Sequence, residues 1–272
     1  MEKAYQSICQ KIIFEAGKML KDNLGNTKIC KKKKGQDVCT DIDITAEEFI
    51  VQNLKRSFPK HNIFSEEFGK IDKKSKFTWI VDPLDGTKNF IRRLPIYDIS
   101  IALQKDKEII FGMVYVPETS EIFYAHKGKG SFLIKAIHER FIEQEQIIKL
   151  HVSKTDELKS SFLHLELPTG STDNKEARQQ DTDTLIKKSY RIRSLGTSAI
   201  ALCYVAMGAY DGYVDFSGTT KLVDIAAGSL IVKEAGGKIT DCDGKFFTPR
   251  SKFLVASNGL THQEILNNIC KK

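Results

Sequence analysis

The 272-residue chain has no run of 18 consecutive apolar residues, so no segment reads as a membrane-crossing helix. Its first six residues, Met1 to Gln6, carry two charges and no apolar block before a small-residue cleavage site, which makes the cytoplasm the expected location. No C-x-x-C pair joins any of Cys9, Cys30, Cys39, Cys203, Cys242 and Cys270; this argues against a zinc knuckle or a small disulfide scaffold and predicts reduced thiols. His61, His126, His138, His151, His164 and His262 are isolated from one another, so surface or satisfied, partly buried roles are expected rather than metal ligation. G-x-S-x-G, H-E-x-x-H and G-x-x-x-x-G-K-[ST] are all missing. Gly128-Lys129-Gly130 is half a dinucleotide fingerprint, because Leu133 stands at the third glycine position, and it reads as a turn. No internal repeat of 20 to 50 residues is apparent.

What is present is the composition of a folded globular protein of one or two domains, 41% hydrophobic and 28% charged. The 42 Lys and Arg outnumber the 35 Asp and Glu to give +7, which suits an anionic partner without naming one. The sharpest basic feature, Lys31-Lys32-Lys33-Lys34 before Gly35, reads as a solvated loop between two helices. It has no interleaved aromatics and no recognisable RNA- or DNA-binding signature accompanies it, so nucleic acid is not the expected partner.

Apolar residues at Ile8, Ile12, Ala16, Met19 and Leu20 predict a first helix over 3–24. Ala46, Phe49, Ile50 and Leu54 predict a second over 44–57, with Pro59 beyond its end. Closely spaced strands over 77–81, 98–104, 109–116 and 122–125 predict an antiparallel sheet covered on one face by the two helices. Signals weaken over 134–190, apart from a strand at 162–167, the polar run 169–175 and a charged helix. The domain boundary is placed there, giving an N-terminal α+β domain at 1–138 and a C-terminal α/β domain at 139–272. Strands at 191–195, 211–216, 238–241 and 253–257 then alternate with helices at 197–209, 224–235 and 261–270. Gly236-Gly237 ends one helix, and Thr261 with Glu264 predicts a capping box for the last.

The informative segment is Trp79-Ile80-Val81-Asp82-Pro83-Leu84-Asp85-Gly86-Thr87-Lys88-Asn89-Phe90. A buried strand ends at an acid, a proline sets the bend, and a second acid follows three residues later. Gly86 permits an unusual backbone angle, and Thr87 opens a short helix whose free N–H groups can receive an anion. Two carboxylates about 4 Å apart repel by roughly 4 kcal/mol at an effective dielectric of 20, so the pair calls for a cation, a shared proton or solvent. Magnesium, with its taste for oxygen ligands and substrate phosphate, suits acids beside an anion cradle. Taken singly, each acid could be a cap or a surface group, and the segment an Asp-rich turn. Glu66 and Glu67, Asp41 and Asp43, and Asp224 are further acids of interest.

Ser65-Glu66-Glu67, the segment 82–90, Gly196-Thr197-Ser198-Ala199, and Val223-Asp224-Ile225-Ala226-Ala227-Gly228 running on to Glu234-Ala235-Gly236-Gly237 together resemble the inositol monophosphatase superfamily of magnesium-dependent, lithium-sensitive sugar phosphatases. The resemblance covers most of the chain, with 135–190 matching weakly. It implies an α/β (α+β) fold, a layered αβαβα sandwich with a mainly antiparallel N-terminal sheet and an α/β C-terminal domain. It also implies two or three Mg2+ per subunit, a homodimer, and a small phosphorylated sugar or polyol as substrate. Glu66, Asp82 and the Leu84 carbonyl would hold one metal, and Asp82, Asp85 and Asp224 a second. Phosphate would rest on the N–H groups of Gly86 and Thr87. Thr87 and Glu66 would prepare a water nucleophile, with Asp43 fixing the Thr87 hydroxyl and no covalent intermediate formed. Gly196, Thr197, Ser198 and Asp215 would contact substrate, Lys221 a second phosphate, and one of Lys32, Lys33 or Lys34 would face the site.

Val223 replaces the tryptophan that the family often carries before its second-domain aspartate. That departure resembles the archaeal branch acting on both inositol 1-phosphate and fructose 1,6-bisphosphate. The spacing from Asp215 to Asp224 is longer than the family's usual pattern, which bears on the Asp215 and Lys221 assignments. Two alternatives stand beside this reading: a 3′(2′),5′-bisphosphate nucleotidase with the same metal cradle, and an RNA- or protein-binding regulatory module on the same fold.

Overall fold

A computed structural model describes residues 2–32, 38–136, 145–169, 172–245, 247, 251 and 253–269. The first part of the chain runs α1 (Glu2–Asp22), β1 (Ile29–Lys32), β2 (Val38–Thr40), α2 (Asp41–Ser57), β3 (Asn62–Ser65), β4 (Gly69–Ile71), β5 (Phe77–Asp85), α3 (Thr87–Ile91), β6 (Asp98–Lys105), β7 (Glu108–Val116), β8 (Glu121–His126), β9 (Gly130–Ala136) and β10 (Glu145–Lys149). The remainder runs β11 (Phe162–Glu166), α4 (Lys175–Lys188), β12 (Arg191–Arg193), α5 (Ser198–Ala206), β13 (Gly212–Asp215), α6 (Leu222–Glu234), β14 (Lys238–Asp241), β15 (Leu254–Ser257) and α7 (His262–Asn268).

Eight strands form one sheet in the order β10-β9-β8-β7-β6-β5-β3-β4, antiparallel at every step except β3 with β5. Five form a second in the order β12-β11-β13-β15-β14, where β11 is parallel to both neighbours. Three apolar clusters fix the stacking. One joins α1 and α2 to the first sheet through Ile13, Ile50, Trp79 and Met113. The next fills the space between the sheets with α5 and α6, through Ile80, Val114, Leu202, Ala227 and Tyr213. The third lies on the far face of the second sheet, where Leu163, Leu165 and Val214 meet Leu185 of α4 and Ile265 of α7. The layers are therefore α, β, α, β, α, the mixed α/β sandwich that the resemblance implies. β10 belongs to the first sheet although it follows residue 138, and the 138/139 boundary itself lies outside the described residues.

Several sequence expectations change. Lys31 and Lys32 lie on β1, which pairs with β2 in a small hairpin, where a loop is expected; the side chains of Lys31 to Lys34 lie outside the described residues, as do His138 and Cys270. β5 continues through Asp85 instead of stopping at residue 81. Its ladder with β6 is irregular between Asp82 and Asp85, where Pro83 has no N–H to give, and resumes at Asp85 opposite Asp98. The capping box before α7 does not form: the Thr261 hydroxyl donates to Asn258 Oδ1, and Glu264 accepts the Leu158 N–H at 2.7 Å. His164 and His262 are wholly buried, more deeply than expected.

Candidate active site

Strand alternation starts the site. Trp79 and Val81 of β5 face α1 and α2 while Ile80 faces α5 and α6, so the period of two directs Asp82 to the inner layer. The irregularity that follows turns Leu84 back among the α1/α2 cluster. Gly86 then takes φ +88°, and a Cβ there would meet the Ile96 carbonyl oxygen at 2.8 Å, so the turn into α3 admits only glycine. Asn89 of α3 donates to the carbonyls of Ile96 (2.9 Å) and Leu195 (2.7 Å), tying the acidic turn to the segment that leads into α5.

Each of the four acids assigned to metal has an oxygen on a local donor. Asp82 Oδ1 accepts the Leu84 N–H at 3.0 Å, Asp85 Oδ2 the Ala199 N–H at 3.0 Å, and Asp224 Oδ2 the Lys221 N–H at 2.6 Å. Glu66 Oε1 accepts from the Lys221 ammonium at 2.8 Å. Among the described residues, no group of three or more His, Cys, Asp or Glu side chains forms a metal-holding cluster as it stands. The acids are nevertheless near neighbours. Burial, then repulsion from Glu66, Asp85, Asp224 and Asp98, pushes the Asp82 carboxyl well above the ordinary range. Burial and Asp85 raise Asp224 in the same way, against the Lys221 N–H and ammonium. Burial raises Asp85 to about 7, opposed by the Ala199 N–H and increased by Glu166. The donor set is wholly carboxylate and carbonyl oxygen, which fits a hard dication such as magnesium and not a thiolate- or imidazole-seeking metal.

Thr87 and Asp43 adjoin these acids. The Thr87 hydroxyl lies 3.1 Å from Asp43 Oδ1 and 3.1 Å from the Leu84 carbonyl oxygen. Asp43 Oδ2 accepts the Thr40 N–H at 2.9 Å and also the Thr40 hydroxyl, while burial raises the carboxyl to about 6.

The residues assigned to substrate fare differently. Gly196 is exposed. The Thr197 hydroxyl donates to Asp98 at 2.9 Å, and the Ser198 hydroxyl lies 3.0 Å from the Tyr213 OH, so both are committed within the fold. Asp215 is buried, with Oδ1 accepting the Ser217 N–H and hydroxyl, each at 2.7 Å. Lys221, assigned to a second phosphate, instead sits on Glu66.

Three further acids belong to the site. Asp98 is fully buried opposite Asp85. Glu166 ends β11. Glu47 of α2 accepts the Glu67 N–H at 2.9 Å and the Phe68 N–H at 2.7 Å, holding the turn that carries Glu66. Glu47 has a readable signal, because it lies one helical turn from Asp43 on the face of α2 that also buries Ile50 and Leu54.

A family model described as "Inositol monophosphatase family" matches residues 2–272. The chain is 36% identical over 238 residues to "Nus factor SuhB" of Pasteurella multocida, covering 87% of this chain and 84% of that protein. It is 34% identical over 258 residues to "Fructose-1,6-bisphosphatase/inositol-1-monophosphatase" of Thermotoga maritima, covering 94% and 92%. Among solved structures, the extragenic suppressor protein suhB of Bartonella henselae matches with a TM-score of 0.88 at 29% identity, over 98% of this chain and 99% of that one. Relatives that carry the Nus factor name give no support to the expectation against a nucleic-acid partner.

Proposed function

Given that the chain belongs to the inositol monophosphatase family, we propose that it is a magnesium-dependent phosphomonoesterase that releases phosphate from a small phosphorylated polyol or sugar by direct attack of water. Family membership and the named relatives support a phosphatase; the metal, the substrate and the residue roles are this proposal's own. The observation that carries it is the gathering of Glu66, Asp82, Asp85 and Asp224, from three distant stretches of chain, within electrostatic reach of one another beside the Thr87–Asp43 pair.

Glu66, Asp82, Asp85, Asp224 and the Leu84 carbonyl would hold magnesium, which when bound supplies charge neutralisation for the phosphoryl group. The Thr87 hydroxyl has one proton to give; directed to Asp43, it leaves the oxygen lone pairs free to accept a hydrogen bond from the attacking water, whose proton can pass to the hydroxyl as the hydroxyl's own proton passes to the Asp43 carboxylate. Asp43 is immobilised by Thr40, so the hydroxyl is oriented before substrate arrives. The N–H groups of Gly86 and Thr87 lie at the start of α3, outside its internal hydrogen bonds, and can face phosphate oxygens.

A phosphate-release panel with inositol 1-phosphate, fructose 1,6-bisphosphate and adenosine 3′,5′-bisphosphate, with and without magnesium, tests this. Magnesium-dependent release from one of the first two is expected, and release from the nucleotide alone would move the assignment to a nucleotidase. The Nus factor name of several relatives favours a second reading, RNA or protein binding on the same fold. RNA retention that falls steeply with salt, with no magnesium-dependent release from any ester, would put that reading first.

A further inference from the structure

Glu166 is an acid at this site for which the metal and water chemistry has no use. In register on the parallel strands β11 and β13, His164 lies opposite Tyr213 and Glu166 opposite Asp215. Partners in register share a face, as do residues two apart along one strand, so these four side chains form one polar patch. The intervening Leu165 and Val214 point the other way, into the α4/α7 cluster, which directs the patch toward α5. Two contacts place it beside the acids: the Tyr213 OH lies 3.0 Å from the Ser198 hydroxyl, and the next residue of α5, Ala199, gives its N–H to Asp85.

The two acids of the patch are in different states. Asp215 is 1% exposed and committed to its own turn through Ser217 and Thr220. The Glu166 side chain keeps 16% of its surface open, and its Oε1 lies 2.7 Å from His164 Nε2. A carboxylate there accepts, which puts the imidazole proton on Nε2 and leaves Nδ1 bare; among the described residues the buried Nδ1 has no hydrogen-bond partner. His164 cannot swing, being wholly buried and stacked on Tyr213 at 5.4 Å and 11°. A locked imidazole thus aims a carboxylate that remains open to a ligand. Such a group accepts hydrogen bonds from hydroxyls and repels a second anion.

We propose that Glu166, held by His164, is the specificity-determining residue of this site: it accepts hydrogen bonds from hydroxyls of the leaving group and selects a neutral polyol monoester against an ester bearing a second phosphate. This rests on the phosphatase reading, and binding measurements separate the two. Calorimetry with inositol 1-phosphate and fructose 1,6-bisphosphate, in calcium in place of magnesium, gives an affinity ratio that does not depend on turnover. The wild type is expected to bind the monoester more tightly. Glu166→Gln, similar in size and uncharged, should shift the ratio about tenfold toward the bisphosphate, and Glu166→Ala should shift it in the same direction while also weakening the monoester. An unchanged ratio in both variants, each melting at the wild-type temperature, overturns the proposal, as does tighter wild-type binding of the bisphosphate or no binding of either ester. A shifted ratio without hydrolysis of either ester by the magnesium-loaded wild type would sink the phosphatase reading and leave the role of Glu166 standing.

Discussion

Protonating His262 would turn a hydroxyl proton away from its acceptor. The Thr240 hydroxyl donates to the Asp241 carbonyl, so toward His262 Nε2 it can only accept, and the ring proton sits on Nε2. Nδ1 then accepts from the Ser257 hydroxyl at 2.9 Å, whose oxygen already takes the Gly259 N–H. A second ring proton displaces that of Ser257, in a wholly buried place where burial and Lys238 already hold the imidazole pKa down to about 4. Because the folded value lies below the unfolded value of about 6.5, the unfolded chain binds more protons between the two. Stability is therefore full above about pH 6.5 and falls as the pH drops toward 4, by no more than about 3 kcal/mol from this residue. Urea midpoints at pH 7.5 and pH 5 read the loss, and His262→Asn should flatten it; equal slopes in wild type and variant would remove His262 from the account. Only part of the site is legible in the sequence. Asp82, Asp85 and Thr87 stand in one short segment, whereas Glu166 acquires its setting from β13 and α5, and Asp98 from β5 and Thr197, contacts that no local spacing encodes.

Among elements, α6 decides how closely the layers approach. It packs on β7 at Gly112, where a Cβ would meet the Ala227 Cα at 2.8 Å, and on α5 at Gly228, where a Cβ would meet the Leu202 Cβ at 2.8 Å. At Gly112 the obstacle is backbone, so Gly112→Ala must move the helix off the sheet and should lose about 2 kcal/mol, a fall in Tm of roughly 5 °C for a chain of this size. Gly228→Ala meets a similar clash but gains about 1 kcal/mol of helix propensity, so it should melt above Gly112→Ala. Calorimetric melting of both orders them, and a Gly112→Ala protein melting with the wild type would contradict this packing. The helices α1 and α2 are legible from their periodicity, because each buries one apolar face against the first sheet, whereas α5 and α6 lie between the sheets and are apolar nearly all round. The hairpin β1–β2 and the edge strands β4 and β10 are not legible, since strands of three to five residues are too short to display an alternation. The capping box expected before α7 fails for a different reason: Thr261 and Glu264 find better partners in Asn258 and Leu158, the latter 106 residues from Glu264.

At the scale of the whole molecule, acids from the first sheet and from α6 are forced together by the same packing that builds the layers, so folding works against their mutual repulsion. Asp82 feels it from four neighbours, being buried among Glu66, Asp85, Asp224 and Asp98. Removing that charge while keeping the shape should therefore stabilise the metal-free protein. Asp82→Asn keeps a carbonyl oxygen to accept the Leu84 N–H and should melt a few degrees above the wild type in chelator. Magnesium reverses the order. At a free concentration of about 100 Kd, a ligand bound by the folded state alone adds about 2.7 kcal/mol, a rise of about 5 to 10 °C for the wild type. Asp82→Asn should lose most of that rise, so the two melting curves should cross between chelator and saturating magnesium. A wild type indifferent to magnesium, or a variant that gains as much as the wild type, would show that these carboxylates do not share a dication, and the function proposed for the site would fall with them.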